Sequence, residues 1–388
     1  MALKETLIAA SALTVMAGAA VSAALPSITL HFSHEPGAEL LTKLIITLPA
    51  IFIAMFSAVM GWLADTRGKK QVLLFSLILY AAGGLSAIFS SSLFLLLCCR
   101  AILGVGVAGI ATSVNAIVAD RYKDEERNIF LSRQSSATAL AGVVFISAGG
   151  WLASFGWQFP FMVYALSVPV VLLVRRTINE KQFSGSKSPA INNRGKFPRT
   201  VFLYYFLVFV SMTIFYMVPA QMPYLLMRTY NSSSLAAGLA ISICILASAI
   251  SAWNYSKLEK RFSTALLLLF AFVINGSGYL LISISGSYWF IVAALFVAGL
   301  GNGLLIPLLS NRVMQLAPTL LRGRVMGGFN AFLFIGQFLS PFLLLPVINY
   351  TGLQPAYGVV GAVVIIVAIP SFLLQNKIPA TEPAGTGG

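Results

Sequence analysis

The chain has 388 residues, 58% of them hydrophobic and only 9% charged, with 25 basic residues against 11 acidic ones for a net charge of +14. That composition excludes the soluble globular classes, in which about a quarter of residues are charged. The cations stand in short clusters between apolar runs, not along a continuous face, which argues against nucleic acid and for signals of membrane topology. Cys98, Cys99 and Cys244 lie inside apolar runs without metal-ligand spacing and read as packing residues.

A helix needs about 20 apolar residues to cross the hydrocarbon core of a bilayer. Runs of that size lie near 5–31, 40–63, 71–90, 93–119, 129–153 and 157–176, then near 201–225, 233–255, 263–284, 287–313, 323–348 and 353–375. The first, with Lys4 ahead of an apolar stretch ending near Ser22-Ala23-Ala24, has features of a signal peptide. Its apolar part is too long, and so many similar spans follow that it reads as a retained first helix. The runs are far longer than a barrel strand and lack its alternation, so helices are the expected spanning elements. Short separators carry turn chemistry: His34-Glu35-Pro36-Gly37, Ser90-Ser91-Ser92, Asn231 to Ser234 and Gly286-Ser287. Arg175 to Thr200, rich in Lys, Arg, Ser, Asn and Gly, reads as a flexible linker. The expected organisation is a six-helix bundle over 1–176, a cytoplasmic linker over 177–200, a second six-helix bundle over 201–376 and a cytoplasmic tail over 377–388.

Orientation follows from the cations. With both termini inside, the cytoplasmic segments hold 21 of the 25 basic residues, and the inverted arrangement would leave the outside loops strongly basic. The two halves also repeat. An offset of about 194 to 195 positions sets Asp65 on Glu259 and Arg127-Asn128 on Arg322-Gly323.

Between the second and third runs lies Gly61 to Lys70, Gly-Trp-Leu-Ala-Asp-Thr-Arg-Gly-Lys-Lys. Its acid and three cations must sit at a membrane surface; Gly61 is expected to allow close helix approach and Gly68 a tight turn. The stretch resembles the G-x-L-A-D-x-x-G-R/K-R/K signature of major facilitator superfamily transporters. The resemblance covers nearly the whole chain. It implies an all-α integral membrane protein with twelve transmembrane helices in two pseudo-repeated six-helix bundles, and alternating access to a site near the bilayer midplane. It further implies an inside gate in which Gly61, Asp65, Arg67, Gly68, Lys69, Asp120 and Arg121 take part, with Asp65 acting on the start of the eleventh helix near Arg322 and Arg324.

Cys99-Arg100 to Gly104-Val105-Gly106 resembles the family's fourth-helix motif R-x-x-x-G-x-G, linked there to proton transfer. An arginine inside a span costs about 2.5 to 3.5 kcal/mol on insertion scales, so Arg100 should face a cavity or a partner, or else snorkel to the surface. In the fifth helix the antiporter pattern G-P-x-x-G-G is met only by Gly149-Gly150, while Gly156-Trp157-Gln158-Phe159-Pro160-Phe161 resembles the start of the sixth helix in drug and metabolite exporters. No acid lies in the middle of a span. The coupling candidates are therefore Arg100 and, at the outer end of the first helix pair, His31 and Glu35, with Glu39 and His34 nearby. An ordinary polar loop would also explain that last set, and two histidines do not complete a metal site.

Neutral polar residues are the expected pocket: Thr14 and Asn115 in the first half, and Tyr216, Gln221, Asn302, Asn330 and Gln337 in the second, with a break in the seventh helix over Pro219-Ala-Gln221-Met-Pro223. Each of these also suits helix-to-helix bonding. The expected activity is export of an amphipathic drug, or of a secreted metabolite such as a siderophore, across the bacterial inner membrane by a monomer coupled to protons. Proton-driven uptake and a non-transporting receptor on the same fold are the alternatives. No cofactor, metal or nucleic acid is expected, and the clustered nucleophile and acids of a membrane enzyme are absent from the sequence.

Overall fold

The computed structural model describes residues 2–178, 200–318 and 321–375. The tail 377–388 and most of the linker 177–200 lie outside the described residues. Among the described residues there is no strand, and eleven helices are long and apolar enough to cross a membrane; α14 (Leu353–Gln375), with a shorter apolar stretch, follows them.

The spans are not uniform rods. The first is built from α1 (Ala2–Ala19), a single 3-10 turn at Ser22–Ala24, and α2 (Leu25–His31), which takes Pro26 in its first turn, where a missing N–H leaves no bond unmade. Helix α3 (Ala38–Arg67) passes directly into α4 (Lys69–Leu85) through Gly68 alone, whose φ of 102° no residue with a side chain adopts comfortably. After a 3-10 turn at Ser86–Phe89, α5 (Leu93–Arg121) starts on Ser92, whose hydroxyl accepts from the Leu95 N–H at 3.2 Å. Helix α6 (Asp124–Ala153) is the fifth span. The sixth, which the sequence suggests is one continuous helix, opens instead as a 3-10 helix over Phe159–Leu166 before α7 (Ser167–Thr177).

The seventh span is broken, but not where the prolines suggest. It divides into α8 (Val201–Phe215) and α9 (Met217–Thr229) at Tyr216, and both Pro219 and Pro223 lie within α9. Pro219 falls in the first turn, where no intrahelical donor is needed. Pro223 has no N–H for the Pro219 carbonyl one turn back; that carbonyl instead accepts from the Ser22 hydroxyl at 2.8 Å. Helices α10 (Ser234–Glu259), α11 (Thr264–Ser283), α12 (Tyr288–Leu316) and α13 (Arg322–Thr351) complete the chain before α14.

The internal repeat is carried by backbone contacts. A Cβ on Gly83 would meet the Leu103 N, and one on Gly278 the Ala298 N. Gly104 abuts the Pro49 carbonyl and Gly299 the Cys244 carbonyl; Gly106 abuts Tyr80 and Ser76, and Gly301 abuts Asn275 and Ala271. The Ser92 cap of α5 recurs as the Ser287 cap of α12. Every one of these correspondences is spaced by 195 residues. Small residues let helices approach in a medium where no hydrophobic force drives them together, so the contacts that set interhelical distance are the ones repeated.

The chain divides into two compact units. One holds the described residues within Met1–Pro189 together with Tyr216–Ser242 and Gln337–Leu345; the other holds α8, Ile243–Gly336 and the described residues from Pro346 onward. The break at Tyr216 is thus also a boundary between units.

Candidate gate and transport-path residues

At the junction of α3 and α4, Asp65, Thr66 and Arg67 are exposed, while Lys69 is 8% exposed and ion-paired to Asp120 near the end of α5. Arg121 is exposed, and among the described residues neither it nor Asp65 or Arg67 makes an ion pair. Among the described residues, the ion pair formed by members of the network suggested by resemblance is Lys69–Asp120. Gly61 is not at a close approach: a Cβ there would find no heavy atom within 4 Å. The tight contacts lie elsewhere. Gly149 faces the Ala20 carbonyl, where a Cβ would come to 1.9 Å, and Gly150 faces the Ser234 carbonyl and Gly238 of α10. The Gly-Gly pair thus fits α6 between the first span and α10.

Arg100 is fully buried and does not snorkel. Its guanidinium donates to the Tyr164 hydroxyl at 2.9 Å and to the Gly83 and Gly84 carbonyls at 3.2 and 3.4 Å, and lies 4.9 Å from the ring centres of both Phe161 and Tyr164. Those carbonyls belong to the last turn of α4, where the α-helical ladder gives way to the 3-10 turn and carbonyls lack intrahelical donors. The fork of an arginine meets two such acceptors at a negative dipole end, and its flat face stacks on the rings. Tyr164 passes the bonding on to the Ala17 carbonyl at 2.8 Å, and Tyr80, edge-on to Tyr164, donates to the Leu13 carbonyl at 2.7 Å. Among the described residues the Arg100 Nε finds no hydrogen-bond partner. One residue thus joins the first, third, fourth and sixth spans.

The other coupling candidates are placed differently. His31 is exposed and its ring lies 5.1 Å from that of Trp157. The Glu35 carboxylate accepts from the Leu93 N–H, at 3.1 and 3.2 Å to its two oxygens, at the start of α5, the helix end that favours an anion. Sequence reasoning passed over Lys43. It is fully buried near the start of α3, paired at 2.9 Å with Glu39 one turn earlier, whose side chain is 50% exposed. A lysine within an apolar run, preceded by glutamate at four residues, was the available signal.

Of the expected pocket residues, the structure brings Tyr216 and Gln337 together in a side-chain hydrogen bond. Gln221, on α9, is 1% exposed, and its Nε2 has no hydrogen-bond partner among the described residues. The Thr14 hydroxyl donates back to the Ser11 carbonyl at 2.7 Å, and Asn115 on α5 is exposed. Asn302, 7% exposed, and Asn330, exposed, belong to the other unit. Among the described residues no three of His, Cys, Asp and Glu gather into a metal site.

A family model described as Major Facilitator Superfamily matches residues 7–218 and 201–388. The chain is 24% identical to the multidrug resistance protein MdtG of Salmonella arizonae over 95% of each chain, and 25% identical to the class H tetracycline resistance protein of Pasteurella multocida over 82% of this chain and 83% of that one. Among solved structures, a D-xylose-proton symporter superposes with a TM-score of 0.81 at 13% identity, covering 95% of this chain and 96% of the other. A point mutant of the nucleoside transporter NupG superposes with a TM-score of 0.79 at 12% identity, covering 96% and 99%.

Proposed function

Because the chain belongs to the Major Facilitator Superfamily, and is thus a multi-pass membrane transporter of small molecules and not an enzyme, we propose that it exports an amphipathic solute, a drug or a secreted metabolite, by alternating access coupled to protons. The proteins it resembles support the direction, since both are named for drug resistance. The observation that carries the substrate class is Gln221. An amide buried in a membrane helix without a hydrogen-bond partner is costly, and a solute with one acceptor on an apolar body would take the bond that the fold leaves open. Tyr216, five residues before Gln221, and its hydrogen-bond partner Gln337 add a neutral polar pair, whereas no carboxylate stands mid-span to hold a sugar or to balance a fixed cationic charge.

In this reading the Gly61–Lys70 end faces the cytoplasm of a bacterial inner membrane, as the concentration of cations there requires. Asp65 and its neighbours gate that side. The bundles 1–176 and 201–376 act as the two moving halves, and the protein works as a monomer. The test is flux of tetracycline and of chloramphenicol, a neutral amphipathic solute, from proteoliposomes under a proton gradient of either sign, with Asp65→Asn as the control. Solute movement that collapses with the gradient and in the variant is the expected result. Movement that ignores the gradient removes the proton from the reading, and no flux with any solute favours a receptor on the same fold.

A further inference from the structure

Lys43 is the one cation of α3 that the topology signals do not explain: its side chain is fully buried, six residues into a membrane helix. Its surroundings come from three helices. On its own helix Glu39 accepts from Nζ at 2.9 Å. From α9 the Tyr224 ring stands 5.3 Å from Nζ, and the Arg228 guanidinium lies 5.1 Å from the same ring, so two cations share one aromatic face system and one carboxylate. From α2 the Thr29 hydroxyl meets the Tyr224 hydroxyl at 2.6 Å, a contact between residues 195 apart and therefore equivalent in the repeat. The charged and titratable groups acting on the pair are thus Glu39 and Lys43 of α3 with Arg228 and Tyr224 of α9. Unlike Arg100, which has three acceptors and two rings around it, Lys43 has a single anion among the described residues.

We propose that the Glu39–Lys43 pair is a proton site that controls whether α9 stays fastened to α2 and α3 at the end of the protein opposite the Gly61–Lys70 junction. Glu39 is half-exposed and reachable by water, whereas Lys43 is not. While Glu39 is ionised, it compensates the buried ammonium, and Tyr224 can close over the pair. A proton taken up on the carboxylate oxygen ends that compensation and leaves two cations, Lys43 and Arg228, pressed on one ring with no counter-charge. The favourable response is for Tyr224 and Arg228 to withdraw and admit water to Lys43. The fastening is present while the carboxylate is ionised and lost as pH falls and the proton binds, because the fastened arrangement needs the counter-charge and the released one does not. This rests on the exporter reading, in which this face is external and the acidic side drives the cycle.

The test reads the fastening itself and needs no substrate. Spin labels on Pro36→Cys and Ser233→Cys, in the full chain with Cys98, Cys99 and Cys244 changed to serine, report the separation of the start of α3 from the start of α10 in nanodiscs between pH 7 and pH 3.5, a window that brackets the titration of a glutamate. A second, longer distance should grow as pH falls, by up to about tenfold in population ratio per pH unit, as one proton requires. Glu39→Gln should show the long distance at every pH. Lys43→Met, which removes the buried charge, should show the short one at every pH. Glu39→Asp should restore the pH response, which separates titration from a folding defect. A native distance that ignores pH, or a response that survives Glu39→Gln, overturns the proposal. Flux that ignores the proton gradient, with the distance response intact, would instead remove the proton coupling from the proposed function and leave the site standing.

Discussion

Replacing Arg100 with lysine keeps the charge but removes the fork. In the native chain one nitrogen serves Tyr164, another serves the Gly83 and Gly84 carbonyls, and the plane between them stacks on two rings. An ammonium on a shorter, flexible stem can keep one of these sets and not both. Hydrogen bonds from a charged donor contribute about 1.5 to 3 kcal/mol each and a desolvated cation–ring contact about 2 kcal/mol, so the loss of one set with part of the stacking comes to about 3 kcal/mol. That is roughly a 150-fold fall in the ratio of folded to unfolded protein at about 1.4 kcal/mol per factor of ten. The assay is melting in detergent followed with a thiol-reactive dye, for which the buried Cys99 and Cys244 are internal reporters. Tyr164→Phe should lose about half as much, because the hydroxyl that accepts from Arg100 and donates on to Ala17 disappears while the Gly83 and Gly84 bonds and the ring contacts remain. A lysine variant that melts with the native protein, yet no longer moves protons with solute, would refute the reasoning and return Arg100 to the role of a relay.

Gly149→Ala should destabilise by about 1 to 3 kcal/mol or more, since its Cβ would meet a backbone oxygen at 1.9 Å that cannot rotate away, and the yield of monodisperse protein measures it. Gly61→Ala is the contrast: with open space around it inside α3, it should gain about 0.5 to 1 kcal/mol in the same melt. Asp120→Asn should weaken the α4–α5 junction by about 1 to 2 kcal/mol, and exchanging the pair as Lys69→Asp with Asp120→Lys should recover most of it; equal losses in the single and double variants would show that the pair is not coupled. Gln221→Leu should raise stability by about 1 kcal/mol through removal of an unpaired buried donor while lowering solute flux severalfold, and unchanged flux would remove Gln221 from the path.

Several of these residues could be named from sequence and several could not. The spans were legible because crossing a bilayer demands a length of apolar chain, and the repeat because its offset survives in two loops. The same demand hides the interior. In a soluble helix the apolar stripe tells which face is packed, but here lipid and neighbouring helices both favour apolar side chains, so nothing in α5 announces that Arg100 points at the end of α4. The break at Tyr216 was missed for a related reason: prolines draw attention, yet a neighbouring serine can satisfy the carbonyl that Pro223 leaves free. Lys43 differs from the topology cations in lying within an apolar run four residues after Glu39, and its side chain is fully buried.

The clasp around Arg100 has a consequence for synthesis. Its hydroxyl partner lies 64 residues further along the chain, so it does not exist when the fourth span first leaves the ribosome. At about 5 to 20 residues per second, the arginine must wait roughly 3 to 13 s for Tyr164. During that interval the fourth span carries an uncovered charge that costs about 2.5 to 3.5 kcal/mol in lipid, and the insertion machinery or the water-facing side of the half-built bundle has to shelter it. A nascent chain arrested before Phe161 should therefore hold its fourth span loosely, and one arrested after Ser167 should hold it fast.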